Sequence, residues 1–130
     1  MSIQDQEAFL SNIHPFEVLT PGQMSMCIQH MDIAYYPKDS VIISPEKIPD
    51  NFFIIIKGSV YEYSADNIVV MDYQNEDSFD SNSLIYGKCS NTFKVNEDLI
   101  CYEIEKKAFL SLIDKNQKFK DFFLKDLVNK

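Results

Sequence analysis

One polar stretch in the second half of the chain carries hydrogen-bonding and charged side chains close together in the sequence. An aromatic residue is followed there by carboxylate, hydroxyl, amide and ammonium groups, namely Phe79, Asp80, Ser81, Asn82, Ser83, Lys88, Ser90, Asn91 and Thr92. The chain has no arginine, because its 12 basic residues are all lysines. A lysine offers a point charge without the planar fork that grips a phosphate at two oxygens. An acidic, hydroxyl-rich stretch of this kind therefore suits a neutral or cationic ligand better than a phosphate.

Catalysis and metal binding need residue arrangements that this sequence does not offer. Its histidines, His14 and His30, both fall in the predicted helical lead-in. A cupin-type metal site needs two or three histidines and a glutamate on adjacent strands, and nucleophilic catalysis needs a base beside a serine or cysteine. The cysteines Cys27, Cys89 and Cys101 form no C-x-x-C pair and are too few for an iron–sulfur cluster. We expect no enzyme activity, no metal and no cofactor.

The composition indicates one globular domain in the cytoplasm. The 130 residues are 45% hydrophobic, which is enough to bury a core. A net charge of −8 without a basic stripe argues against nucleic acid and against an anionic membrane as partners. No apolar run approaches the roughly 18–20 residues of a membrane span, and no signal peptide is recognised. Three scattered cysteines predict reduced, buried or half-buried thiols.

Helices are predicted at both ends of the chain. Residues 3–13 form the first, which Pro15 ends because the residue before a proline avoids the helical region. The second begins at Thr20, which forms a capping box with Gln23, while Pro21 suits the first helical position. Near the C-terminus, apolar residues recur at helical spacing in two segments. These are Ala108, Leu110, Leu112 and Ile113, and then Phe119, Phe122, Phe123 and Leu127.

Short strands are predicted between the helices. They lie near 32–36, 40–43, 51–57, 59–64, 67–73, 91–95 and 98–104, and a short helical insert lies near 81–86. Turns are predicted at Pro37–Ser40 and Ala65–Asn67, and a tight hairpin at Lys57-Gly58. Strands spaced by 8–12 residues without long helices between them indicate an antiparallel barrel or jelly roll.

Several segments of the strand region carry motifs of a known family. Phe53-Ile54-Ile55-Ile56-Lys57-Gly58-Ser59-Val60 matches hydrophobic-hydrophobic-x-x-G-x-V, and Tyr36–Ile42 resembles F-x-x-G-x-x-I. Asp77–Ser81 stands where G-D-x-F-G-E would fall, and Asp98–Ile104 resembles the last strand. Over about residues 14–115 the chain thus resembles the cyclic nucleotide-binding domain. The resemblance implies a mainly β fold, a double-stranded β-helix or jelly-roll-like β-roll, with N- and C-terminal α-helices.

The same resemblance implies that the polar stretch is a phosphate cassette whose ligand-gripping residues have been replaced. In the family, a glycine and backbone amides wrap the phosphate, a glutamate accepts from the ribose 2′-hydroxyl, and an arginine grips the phosphate. Here Asp80 stands at the glycine position and Ser81 at the glutamate position, while the arginine would fall near Ser90 or Asn91. Lys88 and Lys94 flank the site, and either could replace part of the lost charge, although the favoured interpretation is that both are solvated surface lysines.

The lead-in Leu10–Leu19 also resembles the start of bacterial proteins that join this domain to CBS domains and a nucleotidyltransferase. That resemblance implies a sensor domain from a longer signalling protein. We expect residues 1–130 to be a single domain, with a helical lead-in at 1–31, a β-roll at 32–105 and C-terminal helices at 106–130.

The sequence is consistent with two functions. The favoured hypothesis is a non-catalytic regulatory domain that does not bind cyclic AMP or cyclic GMP tightly and that acts on a downstream domain. The alternative is a receptor for a cyclic nucleotide or another small ligand, signalling through the C-terminal helices. Phe119, Phe122 and Phe123 either pack back on the roll or form a homodimer or interdomain contact. Tyr61, Tyr63 and Tyr73 either pack on the sheet or stack on a base.

Overall fold

The computed structural model describes residues 3–48, 50–79, 84–85 and 87–128. The chain divides into two compact units, each with its own buried residues. One unit joins Met1–Met31 with Ile104–Lys130, and the other is Asp32–Glu103. The first is helical and the second is built of strands, as the sequence predicted. That the whole chain forms a single domain stays a prediction.

The helical unit contains helices from both ends of the sequence. They are α1 (Ile3–Ser11), a 3-10 helix (Phe16–Val18), α2 (Pro21–Gln29), α3 (Lys106–Lys115) and α4 (Gln117–Val128). The predicted capping box is confirmed, because Gln23 N donates to Thr20 Oγ1 at 3.2 Å and Thr20 N donates to Gln23 Oε1 at 3.0 Å. These two bonds satisfy amide donors that the first turn of α2 leaves without helical partners.

Phe119 on α4 is the centre of an aromatic cluster in the helical unit. Its ring centroid lies 5.2 Å from that of Phe16, 6.0 Å from that of Phe109 and 4.9 Å from that of Phe123. Phe16 and Phe109 are fully buried, and Phe119 shows no exposed surface either. Edge-to-face pairs of this kind add stabilisation beyond the area that they bury. The cluster therefore joins α3 and α4 to the 3-10 helix.

The polar residue Asn116, between α3 and α4, ties the same elements together. Its Nδ2 donates to the Val18 carbonyl oxygen at 3.1 Å and to Gln23 Oε1 at 2.9 Å, and its Oδ1 accepts from Phe119 N at 3.0 Å. A single side chain thus caps α4 and holds the start of α2.

The strand unit is one antiparallel sheet. Its strands are β1 (Met31–Tyr36), β2 (Val41–Ile43), β3 (Asn51–Tyr63), β4 (Val69–Tyr73), β5 (Ser78–Phe79) and β6 (Thr92–Glu105). The order is β1-β6-β3-β4, with β2 paired to β6 and β5 paired to β3. The predicted turns are present at Pro37–Ser40 and Ala65–Asn67, where Asp39 and Asn67 adopt positive φ. No helix in the described part of the chain is long and apolar enough to cross a membrane.

The predicted hairpin at Lys57-Gly58 is wrong, because β3 runs through both residues. Gly58 has a φ of 116°, and its N donates to Asn75 Oδ1 at 3.0 Å. A Cβ at this position would lie 2.4 Å from the Asp98 carbonyl oxygen. The glycine is therefore required by its positive φ and by the close approach of β3 to β6, and not by a chain reversal.

A second correction concerns β6, which replaces the two predicted strands at 91–95 and 98–104. Polar side chains at and beside the predicted break between these strands make hydrogen bonds to other parts of the strand unit. Asn96 Nδ2 donates to Ser59 Oγ at 3.1 Å, and Asp98 Oδ1 accepts from Lys38 N at 2.8 Å. Of the helical insert predicted near 81–86, residues 84–85 are helical, and the others lie outside the described residues.

Candidate ligand site

The predicted cassette begins at β5 and ends where β6 starts. Phe79 closes β5, directly opposite Phe53 of β3. The next four predicted site residues lie outside the described part of the chain, namely Asp80, Ser81, Asn82 and Ser83. The structure thus leaves the roles of the glycine and glutamate positions as predictions.

Phe79 stacks in a column of aromatic rings inside the sheet unit. Its ring lies 5.0 Å from that of Phe53 and 5.6 Å from that of Phe93, with interplanar angles of 8° and 16°. Tyr73 lies 5.5 Å from Phe79 and 5.9 Å from Phe93. Phe79 and Phe93 are buried, so the interior beside the start of the cassette is filled by side chains. A domain that binds no ligand is expected to close this space with side chains such as Phe93 or Tyr86, and Tyr86 lies outside the described residues.

At the far end of the cassette, Asn91 is bound to a carboxylate. Its Nδ2 donates to Glu62 Oε2 at 2.7 Å, and the Tyr73 hydroxyl donates to Glu62 Oε1 at 2.7 Å. All three residues are half-buried. Asn91 is one of the two positions where the family arginine would fall, so a negative charge occupies the neighbourhood in which the family places a cation.

The other predicted site residues at this end do not converge on one point. Lys88 and Ser90 are exposed, whereas Thr92 is half-buried at the first position of β6. Lys94 Nζ lies 3.9 Å from Asp39 Oδ1, an ion pair on the surface of the sheet unit. Surface ion pairs of this kind contribute little to stability. This pair nevertheless places Lys94, which was considered as a replacement cation, beside a carboxylate.

Glu62 is the site residue that the sequence analysis missed. The signal was present, because side chains alternate along a strand and Glu62 lies two residues after the buried Val60. An acidic residue on the inward side of a strand needs partners, and the sequence alone does not identify Asn91 and Tyr73 as those partners.

A separate polar cleft of about 720 Å³ lies beside Lys57 and Gly58 of β3. Charged and amide side chains form most of its wall, and the lining residues are Lys38, Lys57, Gly58, Gln74, Asn75, Asn96, Glu97 and Asp98. Its acids already accept hydrogen bonds, Glu97 from Ser59 Oγ at 3.1 Å and Asp98 from Lys38 N at 2.8 Å. Two lysines and two acidic residues line the cleft, so its charges balance, and the cleft is open to solvent.

The predicted interaction residues on α4 differ in exposure. Phe119 and Phe123 are buried within the helical unit, whereas Phe122 keeps 40% of its surface exposed. The Phe122 ring lies 4.8 Å from that of His14, edge to face. Packing inside the helical unit thus explains why the rings of Phe119 and Phe123 are buried. An interaction role for the three residues stays a prediction.

An antiparallel sheet with helices before and after it in the sequence is the fold of a regulatory or sensor domain. The cyclic nucleotide-binding domain model matches residues 33–116, more than half of the chain, and the chain belongs to that family. The predicted β-roll fold with flanking helices is confirmed. No curated protein matches the sequence.

Solved structures with the same fold come from regulatory proteins of distant organisms. The sensor domain of the transcriptional regulator DNR from Pseudomonas aeruginosa has a TM-score of 0.82 at 18% identity, covering 95% of this chain and 91% of that one. The regulatory domain of Toxoplasma gondii PKA with cAMP has a TM-score of 0.85 at 18% identity, covering 98% and 50%. The regulatory subunit of a cAMP-independent protein kinase A from Trypanosoma brucei has a TM-score of 0.74 at 14% identity, covering 82% and 40%. At these identities the likeness shows the fold alone.

Proposed function

We propose that this chain is a non-catalytic regulatory or sensor domain whose cassette does not bind cyclic AMP or cyclic GMP tightly. The observation that carries the proposal is the hydrogen bond from Asn91 to Glu62 in a chain that has no arginine. A ligand phosphate beside Asn91 would meet a carboxylate of like charge in place of a guanidinium.

The size of the loss supports this reading. Charge-assisted hydrogen bonds contribute roughly 1.5–3 kcal/mol each, so a bidentate arginine pair contributes about 3–6 kcal/mol. At about 1.4 kcal/mol per tenfold, its absence costs on the order of 100- to 10,000-fold in affinity. A micromolar receptor would become a millimolar one or weaker.

Two further observations agree with a cassette that has lost its ligand. Phe93, which a domain without a ligand was expected to use to close the space beside the cassette, is buried and stacks on Phe79. The fold also occurs in a protein kinase A regulatory subunit described as cAMP-independent, so the architecture is compatible with regulation that does not depend on cyclic AMP.

The alternative function is a receptor for a cyclic nucleotide or for another small ligand. The Glu62 carboxylate, which each of its two donors reaches at 2.7 Å, favours a neutral or cationic ligand within this alternative. Ser81 and Lys88 are the residues that we expect to contact it, so Ser81→Ala and Lys88→Ala should weaken binding.

A thermal-shift titration with cyclic AMP and cyclic GMP separates the two functions. A ligand at a hundred times its Kd adds about 2.7 kcal/mol, which is several degrees for a domain of this size. We expect no shift up to millimolar nucleotide. A shift at micromolar nucleotide that Ser81→Ala or Lys88→Ala reduces would instead support the receptor.

The wider context of the domain is also a proposal. We place it in the cytoplasm, within a longer bacterial signalling protein that carries CBS and nucleotidyltransferase-type domains. Signalling, or formation of a homodimer, would use the C-terminal helices, where Phe122 is the exposed aromatic residue. Phe122→Lys should then abolish regulation of the downstream domain, or dimer formation measured by sedimentation, and leave the fold intact.

A further inference from the structure

The strand β4 presents a continuous apolar surface to solvent. Four consecutive residues are at least 45% exposed, namely Ile68 at 61%, Val69 at 45%, Val70 at 53% and Met71 at 51%. Because side chains alternate along a strand, both faces of β4 are exposed. Residues 68–71 thus face solvent, whereas Tyr73 at the end of β4 packs in the interior against Phe79 and Phe93.

This strand is also the edge of the sheet in the described residues. β4 pairs with β3 on one side, through Val60 opposite Tyr73 and Glu62 opposite Met71, and it ends the order β1-β6-β3-β4. Edge strands present unpaired backbone groups to other chains, and soluble proteins often protect them with charged residues, especially lysine, or with proline. Residues 67–73 contain no lysine or proline, and Asp72 is their one charged residue.

The charge around β4 indicates what pairs with it. Between Lys57 and Lys88 the sequence has six acidic residues and no basic one, namely Glu62, Asp66, Asp72, Glu76, Asp77 and Asp80. Asp66 and Asp72 bracket the apolar residues and are exposed. Pairing with a second copy would bring two such stretches together, and like charges facing each other across strands are destabilising. A segment with basic ends would instead be attracted.

We propose that β4 is a docking edge for an extended segment of a partner protein, with apolar residues at its centre and lysine or arginine at its ends. The segment would add a strand to the sheet by main-chain hydrogen bonds, while its side chains contact Val70 on one face and Met71 on the other. This interaction is independent of the cassette and needs no small ligand.

The test uses fluorescence anisotropy with short synthetic peptides. One peptide has alternating valine and threonine between pairs of lysines, and a matched peptide has glutamates in place of the lysines. A third carries the basic sequence with N-methylated backbone amides. We expect saturable binding of the first peptide alone, weakening with added salt because exposed charges are screened.

Variants of the protein test whether the peptide binds at β4. Val70→Lys and Met71→Lys should each weaken binding roughly tenfold, whereas Ile33→Lys should not, although Ile33 on β1 is 49% exposed. Thermal unfolding checks that each variant is folded. The proposal is overturned by absent binding, by equal binding of the acidic or N-methylated peptide, or by an equal loss with Ile33→Lys. It is also overturned by a dimer of the protein that Val70→Lys abolishes, since β4 would then pair with a second copy.

Discussion

Asn91 Nδ2 lies 2.7 Å from Glu62 Oε2, so the end of the cassette is joined to the middle of the sheet by a charge-assisted hydrogen bond. The other carboxylate oxygen accepts from the Tyr73 hydroxyl at 2.7 Å. The Asn91 amide therefore donates to Glu62, and the Glu62 carboxylate adds a negative charge at this end of the cassette.

The first prediction concerns that bond. Asn91→Ala removes one of the two donors to a half-buried carboxylate, so we expect a loss of about 1–3 kcal/mol in the free energy of unfolding. Ser90→Ala, at the exposed neighbouring position, is the control and should change it by less than about 0.5 kcal/mol. Urea unfolding of the variants measures both, and equal losses would mean that the Glu62 contact does not stabilise the fold.

The second prediction concerns Gly58 in β3. Gly58→Ala combines a positive φ with a Cβ placed 2.4 Å from the Asp98 carbonyl oxygen. We expect a loss that exceeds the roughly 1–3 kcal/mol of backbone strain alone, measured as a lower midpoint of urea unfolding.

Two other glycines are matched controls for Gly58. Gly87 has a φ of 71° and nothing within 4 Å of an added Cβ, so Gly87→Ala reports backbone strain without a clash. Gly22, within α2, has open space and no positive φ, so Gly22→Ala should stabilise by about 0.5–1 kcal/mol. If Gly58→Ala costs no more than Gly87→Ala, the close approach of β3 to β6 at Asp98 is wrong.

The third prediction concerns Asn116, which makes three hydrogen bonds within the helical unit. Asn116→Ala should destabilise by about 1–3 kcal/mol, because it leaves polar groups near Val18 and Phe119 without partners. Gln117→Ala is the control, since Gln117 is exposed and bonds only to Asp121 among the contacts described for its side chain. Circular dichroism of thermal unfolding should separate the two variants by several degrees.

The fourth prediction concerns the buried thiols. Burial raises the pKa of Cys27 to about 12, and burial followed by the Glu103 carboxylate raises the pKa of Cys101 to about 12. Because the thiolate is the reactive form, both thiols should react slowly with a disulfide reagent at pH 8 until the protein unfolds. Rapid labelling of Cys27 in the folded protein would contradict its burial.

The same shift gives a pH dependence of stability. A thiol whose pKa is raised by folding contributes stability that is fully present below its unfolded pKa of about 8.5. That contribution is lost as pH rises towards the folded pKa of about 12. Between about pH 9 and 11 the protein should lose about 1.4 kcal/mol more per pH unit than Cys27→Ala does. Parallel slopes in urea unfolding would show that Cys27 titrates normally.

The sequence predicted those parts of the fold that depend on local chemistry. Thr20, Pro21 and Gln23 define the start of α2 through bonds within one turn, and the structure has them as predicted. Gly58 was misread because lysine and glycine between two apolar runs are typical of a hairpin. The reason for the glycine is the Asp98 carbonyl oxygen, which is remote in the sequence.

The position of the candidate site stays a prediction from the motif order, and one of its contacts was not predictable. The motif order placed the cassette between Phe79 and Thr92, and the absence of arginine is visible directly in the sequence. The partner of Asn91 was not predictable, because Glu62 lies 29 residues away and is brought close only by the sheet register. Long-range pairings of this kind are set by tertiary packing and not by local pattern.

Isothermal titration calorimetry with cyclic AMP and cyclic GMP tests the central claim most directly. The comparison variant combines Asp80→Gly, Ser81→Glu and Ser90→Arg, which restore the three family residues. We predict no saturable heat for the natural sequence up to millimolar nucleotide. A one-site isotherm with a micromolar Kd for the natural sequence, of the same affinity as the restored variant, would contradict the account.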